Sequence, residues 1–386
     1  MRILTVHNYY QQVGGEDTVF STESDLLESY GHEVRRYTVH NDKVEQMNAF
    51  SLATATLWNG KIYQELREII RDFRPQVAHF HNTFPLISPA AFYAAKAEGV
   101  LVVQTLHNYR LLCPNGLFFR DGKVCEDCLG QPVHWQGVKN ACYRDSQIAS
   151  GAVATMTKLH ELLGTWTKVV DILIANSHFA LDKFIQGGLP KEKLEFKPNF
   201  LHPAPQPGKG EEGYALFVGR LAPEKGTGTL LAAWERLGGK IPLKIVGDGP
   251  LAAKVTEAAQ QIPGVEWLGR KPLKEVYELM GKAAFLVFPS EWYETFGLVA
   301  IEALAKGTPV IAANIGAIAE LIDHNRTGLL FSPGDAVDLA LKVESLLLNP
   351  KKLADMRQQA RAEFEAKYTA VENYRRLMEI YAKSAK

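Results

Sequence analysis

The chain is 386 residues long, 46% hydrophobic and 22% charged, which is apolar material for two or three packed domains rather than one. Its 43 Lys plus Arg offset 43 Asp plus Glu, so the formal net charge is zero; a dedicated nucleic-acid binder, with its large basic excess, is not expected. Apolar stretches such as residues 283–288 fall far short of the roughly 20 residues that a membrane span needs.

The chain opens with a short apolar run that turns polar at His7-Asn8, too soon for a signal-peptide core, so the reading is cytoplasmic. In chain order, buried strands are predicted at 3–6, 77–80, 100–105 and 172–175. Helical patterns lie between them, for example at 18–30 and at 62–73, the latter stopped by Pro75. Residues 201–210 carry three prolines and no periodicity, which reads as a semi-rigid linker. Strands are predicted again at 215–218, 243–246, 265–268, 284–288 and 309–312, with helices at 251–261, 274–282 and 298–306 among them. Such alternation means parallel sheets covered on both faces, and the simplest architecture is two doubly wound α/β domains joined near 201–210. In these sheets ligands sit beyond the carboxyl ends of the strands, so the loops there carry the chemistry.

Those loops hold several candidate anion sites. After the first strand come Gly14-Gly15-Glu16, where two glycines before a helix let the backbone approach a phosphate, although a tight turn explains them equally well. No G-x-G-x-x-G occurs there and no G-K-[ST], so neither dinucleotide nor P-loop binding is favoured. The strand at 215–218 runs into Gly219-Arg220 and then Lys225-Gly226, two cations five residues apart that suit a diphosphate leaving group. Solvated loop cations are the bland alternative. Gly247-Asp248-Gly249-Pro250 forms another turn after a strand. Most specific is the run from Phe288 to Glu302, in which a strand ends, Glu294 follows in a loop, and a helix begins near 296–298. Free amides at that helix start could take phosphates, and Glu302, four residues after Leu298, could accept hydrogen bonds from ribose hydroxyls.

With these motifs in order, the chain resembles the retaining glycosyltransferases of the GT-B fold, family 4, nearly end to end. Gly14-Gly15-Glu16, Tyr30-Gly31-His32-Glu33-Val34, Ile174-Ala175-Asn176-Ser177, Lys197-Pro198-Asn199, Gly219-Arg220-Leu221, Lys225-Gly226, Gly247-Asp248-Gly249-Pro250 and the E-x7-E pair Glu294 and Glu302 carry the match. The resemblance implies two Rossmann-like domains facing a cleft. One is an acceptor-side domain at 1–204 with a Cys-rich insert at 108–145; the other is a donor domain at 205–369, and a helix at about 370–386 packs back on the first. It further implies a nucleotide diphosphate sugar donor, UDP- or GDP-linked. Arg220, Lys225 and the amides of Gly297, Leu298 and Val299 would contact the diphosphate, approached also by Gly15 and lined by Gly219 and Gly249. Glu302 would hold the ribose, Glu294 the sugar hydroxyls, and the base would lie near Arg270. His107, after the strand at 100–105, would face the reacting sugar; the family's next residue is often acidic, whereas Asn108 stands here. The product would be α-linked, on a hydroxyl of a glycan, lipid-linked or small-molecule acceptor, in cell-surface polysaccharide or glycoconjugate assembly.

No Asp-x-Asp pair occurs, so no catalytic metal is expected, and the cations would stabilise the leaving diphosphate. The four cysteines, Cys113, Cys125, Cys128 and Cys142, follow His107 at C-x11-C-x2-C-x13-C spacing among glycines. Four thiolates suit a structural tetrahedral Zn²⁺, with four buried thiols or a redox C-x-x-C as alternatives. Leu159, Leu162, Leu163 and Trp166 recur at helical spacing beside Lys158 and Lys168, a stripe that core packing explains more readily than peripheral membrane contact. The competing functions are a nucleotide-sugar epimerase or phosphorylase on the same frame, and a non-catalytic sugar-nucleotide sensor or scaffold.

Overall fold

A computed structural model describes residues 1–11 and 14–383. The chain divides into two compact units, one of residues 1–118, 126–199 and the segment from Asn373 onward, the other of 119–125 and 200–372. In chain order the strands are β1 (Arg2–Tyr9), β2 (Glu33–His40), β3 (Val77–Asn82), β4 (Leu101–Leu106), the hairpin pair β5 (Phe119–Arg120) and β6 (Lys123–Val124), β7 (Ile172–Ala175) and β8 (Leu194–Phe196). They continue with β9 (Ala215–Val218), β10 (Leu243–Val246), β11 (Val265–Gly269), β12 (Phe285–Phe288), β13 (Val310–Ala313) and β14 (Gly328–Phe331).

The first unit is a parallel sheet in the order β2-β1-β3-β4-β7-β8, the second a parallel sheet in the order β11-β10-β9-β12-β13-β14. Both are doubly wound α/β layers, as the alternating pattern predicts. In each sheet the order reverses beside the first strand, between β1 and β3 and between β9 and β12. At such a point neighbouring loops diverge and open a crevice for a ligand. The uninterrupted apolar strands β7, β12 and β13 are buried on both faces with no exposed residue, and β3, which carries His79, His81 and Asn82, has none either. On the second sheet one face packs Trp234, Leu230 and Val343, and the other packs Ile301, Leu304 and Phe364.

Local chemistry sets the helix starts. Ser177, directly after β7, caps helix His178–Gln186 by accepting from the Ala180 amide at 3.0 Å. Asn59 does the same for Gly60–Phe73 through Ile62 at 3.2 Å. Five strands, β2, β5, β6, β8 and β14, escape the apolar-run criterion. β2 reads EVRRYTVH and lies mostly exposed at a sheet edge, where Arg36 pairs with Asp25 and Glu28 and Arg35 pairs with Asp72. β5 and β6 have two residues each and β8 three, too few for a period to show, and β14 begins on a glycine.

Residues 201–210 are not a free spacer. The Gly208 and Gly210 amides donate to the carbonyls of Lys306 and Gly281 at 2.9 Å each, and Arg361 donates to Pro205 O at 2.9 Å, so the prolines lie along the second unit. The chain returns at its end: in helix Ala370–Lys383, Leu377, Ile380 and Tyr381 join the core made by Ile3, Leu27, Val77, Val103, Ile172 and Ile174. Residues 384–386 of the predicted final helix lie outside the described residues.

Candidate functional site

In the second unit, the loops leaving β9, β10 and β12 are stitched by backbone. Leu221 N donates to Asp248 O and Leu251 N to Leu221 O, each at 2.9 Å, and Glu291 N donates to Glu224 O at 2.9 Å. Such approach needs glycine. A Cβ on Gly247 (φ 140°) would lie 1.8 Å from Gly219 O, and one on Gly226 (φ 68°) would lie 1.8 Å from Pro289 O. The Gly219, Gly226, Gly247 and Gly249 set thus builds one surface, with side chains mounted on it.

The surface unites two of the predicted site residues directly. Lys225 Nζ donates to Glu294 Oε1 at 2.6 Å, and the same oxygen accepts from Ser290 Oγ at 3.0 Å and Trp292 Nε1 at 2.9 Å. The ammonium also lies 5.0 Å from the Trp292 ring centroid. Glu294 is buried while Lys225 is only partly so. The carboxylate is therefore fixed in place by three donors, and a cation is held at the rim of the strand end. Arg220 is exposed, with no salt bridge among the described residues, and Arg270 is exposed at the end of β11. Helix Leu298–Ala305 begins on Gly297 at φ 119°, so the Leu298 and Val299 amides precede the first intrahelical bonds, which Ala300 and Ile301 make to Gly297 O. Glu302 lies one turn on; burial pushes its carboxyl up to about 7, and it lifts Tyr277 above the usual phenol range in addition to the effect of burial there.

In the first unit, Gly15 opens helix Gly15–Ser29 just after β1. Asp17 ties this start down: its Oδ2 accepts from the Gly14 amide at 2.7 Å, and its Oδ1 lies 2.6 Å from His7 Nε2. Glu16 next to it accepts from Asn82 Nδ2 at 3.2 Å, and burial pushes its carboxyl up to about 8. His107 follows β4 and is half-buried. Its Nε2 lies 3.1 Å from His81 Nδ1, with the rings stacked at 18° and 5.3 Å between centroids. Burial, then the neighbouring His81 and His7, hold His107 well below the ordinary histidine range, so it is neutral at neutral pH.

Behind it is a buried network that the sequence reading did not assign. Glu23 Oε2 pairs with Lys197 Nζ at 2.6 Å, and Glu23 Oε1 lies 3.4 Å from both His79 and His81. Lys197 also donates to Asn373 Oδ1 at 2.7 Å, and His79 meets Tyr381 Oη and Thr105 Oγ1 at 2.8 Å each. Burial alone would raise the Glu23 carboxyl, but Lys197, His81 and His79 hold it well below the usual carboxylate range. Glu23, His79 and His81 bring three potential metal donors within 4.8 Å of one another. The ammonium already on Glu23 and the two occupied nitrogens of His79 make this an ion-pair network rather than a cation site. Its one signal in the sequence was Lys197-Pro198-Asn199, a motif with no role attached.

Cys113 and Cys128 are buried, Cys125 and Cys142 partly so. Burial raises the Cys113 thiol, while the Phe118, Asn115 and Gly116 amides directed at its sulfur favour the thiolate. Trp166 is buried, whereas Leu159, Leu162 and Leu163 are exposed at the end of helix Gln147–Leu162, so the four do not share one stripe. The helix stops before Trp166, which turns inward. Among the described residues no helix is long and apolar enough to cross a membrane.

Two parallel α/β sheets with strand-end loops of this kind define the GT-B class of fold. The chain belongs to glycosyltransferase family 4: that family's profile matches residues 4–204, and the profile for glycosyl transferases group 1 matches residues 202–363. It is 34% identical over 303 residues to a D-inositol 3-phosphate glycosyltransferase of Rhodococcus jostii, covering 72% of this chain and 61% of that protein. It is 29% identical over 290 residues to a glycogen synthase of Mycobacterium tuberculosis, covering 72% of this chain and 62% of that one. The matches to the curated relatives thus span less than two thirds of their length. Among solved structures, Anabaena HepE in complex with UDP and glucose has TM-score 0.69 at 20% identity, over 98% of this chain and 99% of that one. Sucrose-phosphate synthase of Thermosynechococcus elongatus has TM-score 0.72 at 18% identity over the whole of both chains, a likeness of fold.

Proposed function

We propose that the protein is a retaining glycosyltransferase that moves a sugar from a UDP- or GDP-linked donor to a hydroxyl acceptor, giving an α-linkage in cell-surface glycan or glycoconjugate assembly. The observation that carries this is the Lys225–Glu294 pair at the end of β9 and β12, fixed by Ser290 and Trp292 beside the start of helix Leu298–Ala305. That arrangement offers hydrogen-bond acceptors to a sugar and positive potential to its diphosphate within one unit. Arg220, Lys225 and the Leu298 and Val299 amides meet the charge that develops as the diphosphate leaves. Glu294 orients the sugar hydroxyls, Glu302 the ribose, and His107 of the first unit faces the sugar, while Gly15 approaches the phosphates. The acceptor hydroxyl attacks the anomeric carbon on the face the diphosphate leaves, and a phosphate oxygen takes its proton. The complexes of HepE with UDP and UDP-glucose make UDP the first donor nucleotide to try.

For Cys113, Cys125, Cys128 and Cys142 we propose a structural Zn²⁺, on their spacing in the sequence and the amides at the Cys113 sulfur. Bound there, zinc would tie the loop after His107 and take no part in the reaction. Less than about a tenth of an equivalent of zinc per chain, in protein purified without added metal, overturns this. The exposed Ile148, Leu162 and Leu163 support peripheral contact with the cytoplasmic membrane face, tested by sedimentation with anionic vesicles.

The deciding experiment is a donor screen by thermal shift followed by NMR of the product linkage. A β-linked product refutes retention, and tight nucleotide binding with no turnover on any acceptor favours a sensor. Arg220→Ala is expected to lower turnover about 10²- to 10³-fold, and near-normal turnover removes its role.

A further inference from the structure

The first unit carries a cation at its strand ends that the proposed mechanism does not use. A cavity there is lined by Asn82 and Phe84 after β3 and by His107, Asn108 and Arg110 after β4. Among its described lining residues none is an acid, and Arg110 is the one with a permanent charge. The guanidinium is half-buried and held over the Phe84 ring at 4.2 Å and the Tyr143 ring at 5.1 Å. Those two rings meet edge to face, 5.6 Å apart at 78°. Arg110 Nη1 donates to Pro114 O at 3.0 Å, so the backbone takes one of the five N–H groups of the fork.

A second cation shares this platform. The Arg144 guanidinium lies 5.6 Å from the centroid of the same Tyr143 ring. Arg144 is exposed, on a loop in which Ala141, Arg144 and Asp145 sit at φ 50°, 55° and 51°, the left-handed region that side chains disfavour. The Tyr143 amide anchors that loop by donating to Ser150 Oγ at 2.9 Å. Neither arginine forms a salt bridge with a described residue, Asp145 included. Glu16, which also senses Arg110, does not neutralise it. Burial and then Asp17 push that carboxyl up to about 8, so it is largely protonated at neutral pH. Two like charges drawn to one ring without a counter-ion repel each other, and a dianion there turns repulsion into attraction. We propose that Arg110 and Arg144 read a phosphate group on the acceptor, which makes the acceptor a sugar phosphate or a phosphate-bearing lipid. Guanidinium forks match phosphate oxygens in geometry as well as charge. The proposal rests on the reading of the first unit as the acceptor side of a glycosyltransferase, with His107 at the reacting sugar. Arg110, in the wall of the same cavity, sets which acceptor is held there.

The test uses the full chain saturated with UDP, so that the donor's phosphate site is filled. Two probes are titrated: glucose 1-phosphate in solution, and phosphatidylcholine vesicles doped with farnesyl phosphate. Affinity for at least one probe should fall about 10- to 100-fold in Arg110→Gln and about 2- to 5-fold in Arg144→Gln, with UDP affinity unchanged. Dependence on the arginines in solution marks a sugar phosphate as the acceptor, and dependence on vesicles alone marks a lipid. Glucose should not bind, and glucuronate should bind much more weakly than glucose 1-phosphate. Indifference of both probes to both variants overturns the proposal, as does glucuronate binding as tightly as glucose 1-phosphate. A loss of UDP affinity in Arg110→Gln overturns it too, since the charge then serves the donor. If Arg110→Gln does not fold, Arg144→Gln, at an exposed side chain, still decides it. Failure of the wild type to bind UDP instead strikes the glycosyltransferase reading, and the probes titrated without UDP then decide the phosphate site by themselves.

Discussion

Glu302 shows how a single side chain links stability to binding. Burial raises its carboxyl to about 7, above an ordinary glutamate. Between the unfolded value near 4.5 and the folded value, the native chain holds a proton that the unfolded chain has lost. Stability therefore falls as pH rises through that window and levels off above it, and Glu302→Gln should remove this part of the decline in urea melts at stepped pH. If Glu302 accepts from the ribose, UDP should bind more tightly as pH rises from about 6 to about 8, with the dependence flattened in Glu302→Gln. Titration calorimetry showing no gain over that range counts against the ribose role. The E-x7-E spacing was legible in the sequence, because both acids lie within one strand-loop-helix run. The Lys225–Glu294 bond and the Glu23–Lys197 pair were not, since their partners are 69 and 174 residues apart. Nothing local ties such residues together; only the sheet does.

At the scale of elements, the strand-end loops of the second unit show why glycine mattered more than a glycine count could indicate. Gly226 combines φ 68° with a neighbouring carbonyl that would sit 1.8 Å from any Cβ. Gly226→Ala should destabilise the second unit by about 1–3 kcal/mol and, if Lys225 directly before it contacts the diphosphate as proposed, weaken UDP binding. Chemical denaturation with unchanged midpoint and unchanged UDP affinity would contradict this. Strands β7 and β9 were readable to the residue, since a strand buried on both faces must be apolar throughout. Edge strand β2 was not, because its charged residues point to water and pair across the surface. Residues 201–210 misled for the opposite reason: their prolines read as a spacer, yet their free amides and carbonyls find partners on the second unit.

At the scale of the molecule, the chain crosses into the second unit and returns. The last helix supplies Leu377, Ile380 and Tyr381 to the first core and Asn373 and Tyr381 to the buried network. Leu377→Ala should cost about 2–5 kcal/mol and lower the Tm of the first unit; on the proposed reading that the donor nucleotide is held mainly by the second unit, UDP affinity should stay nearly intact. Equal loss of both would mean that the units do not melt separately. The sequence by itself determined the class of fold, the strand-helix alternation, the cation-bearing loop after β9 and the acid pair around residues 294–302, because periodicity and turn chemistry are local and are written in consecutive residues. Only the tertiary structure decided that Lys225 meets Glu294, that the supposed linker is packed, and that His107 stands against His81 and its buried charges. Those contacts join residues far apart in the chain, and burial, which sets their protonation, exists only once the sheets have assembled.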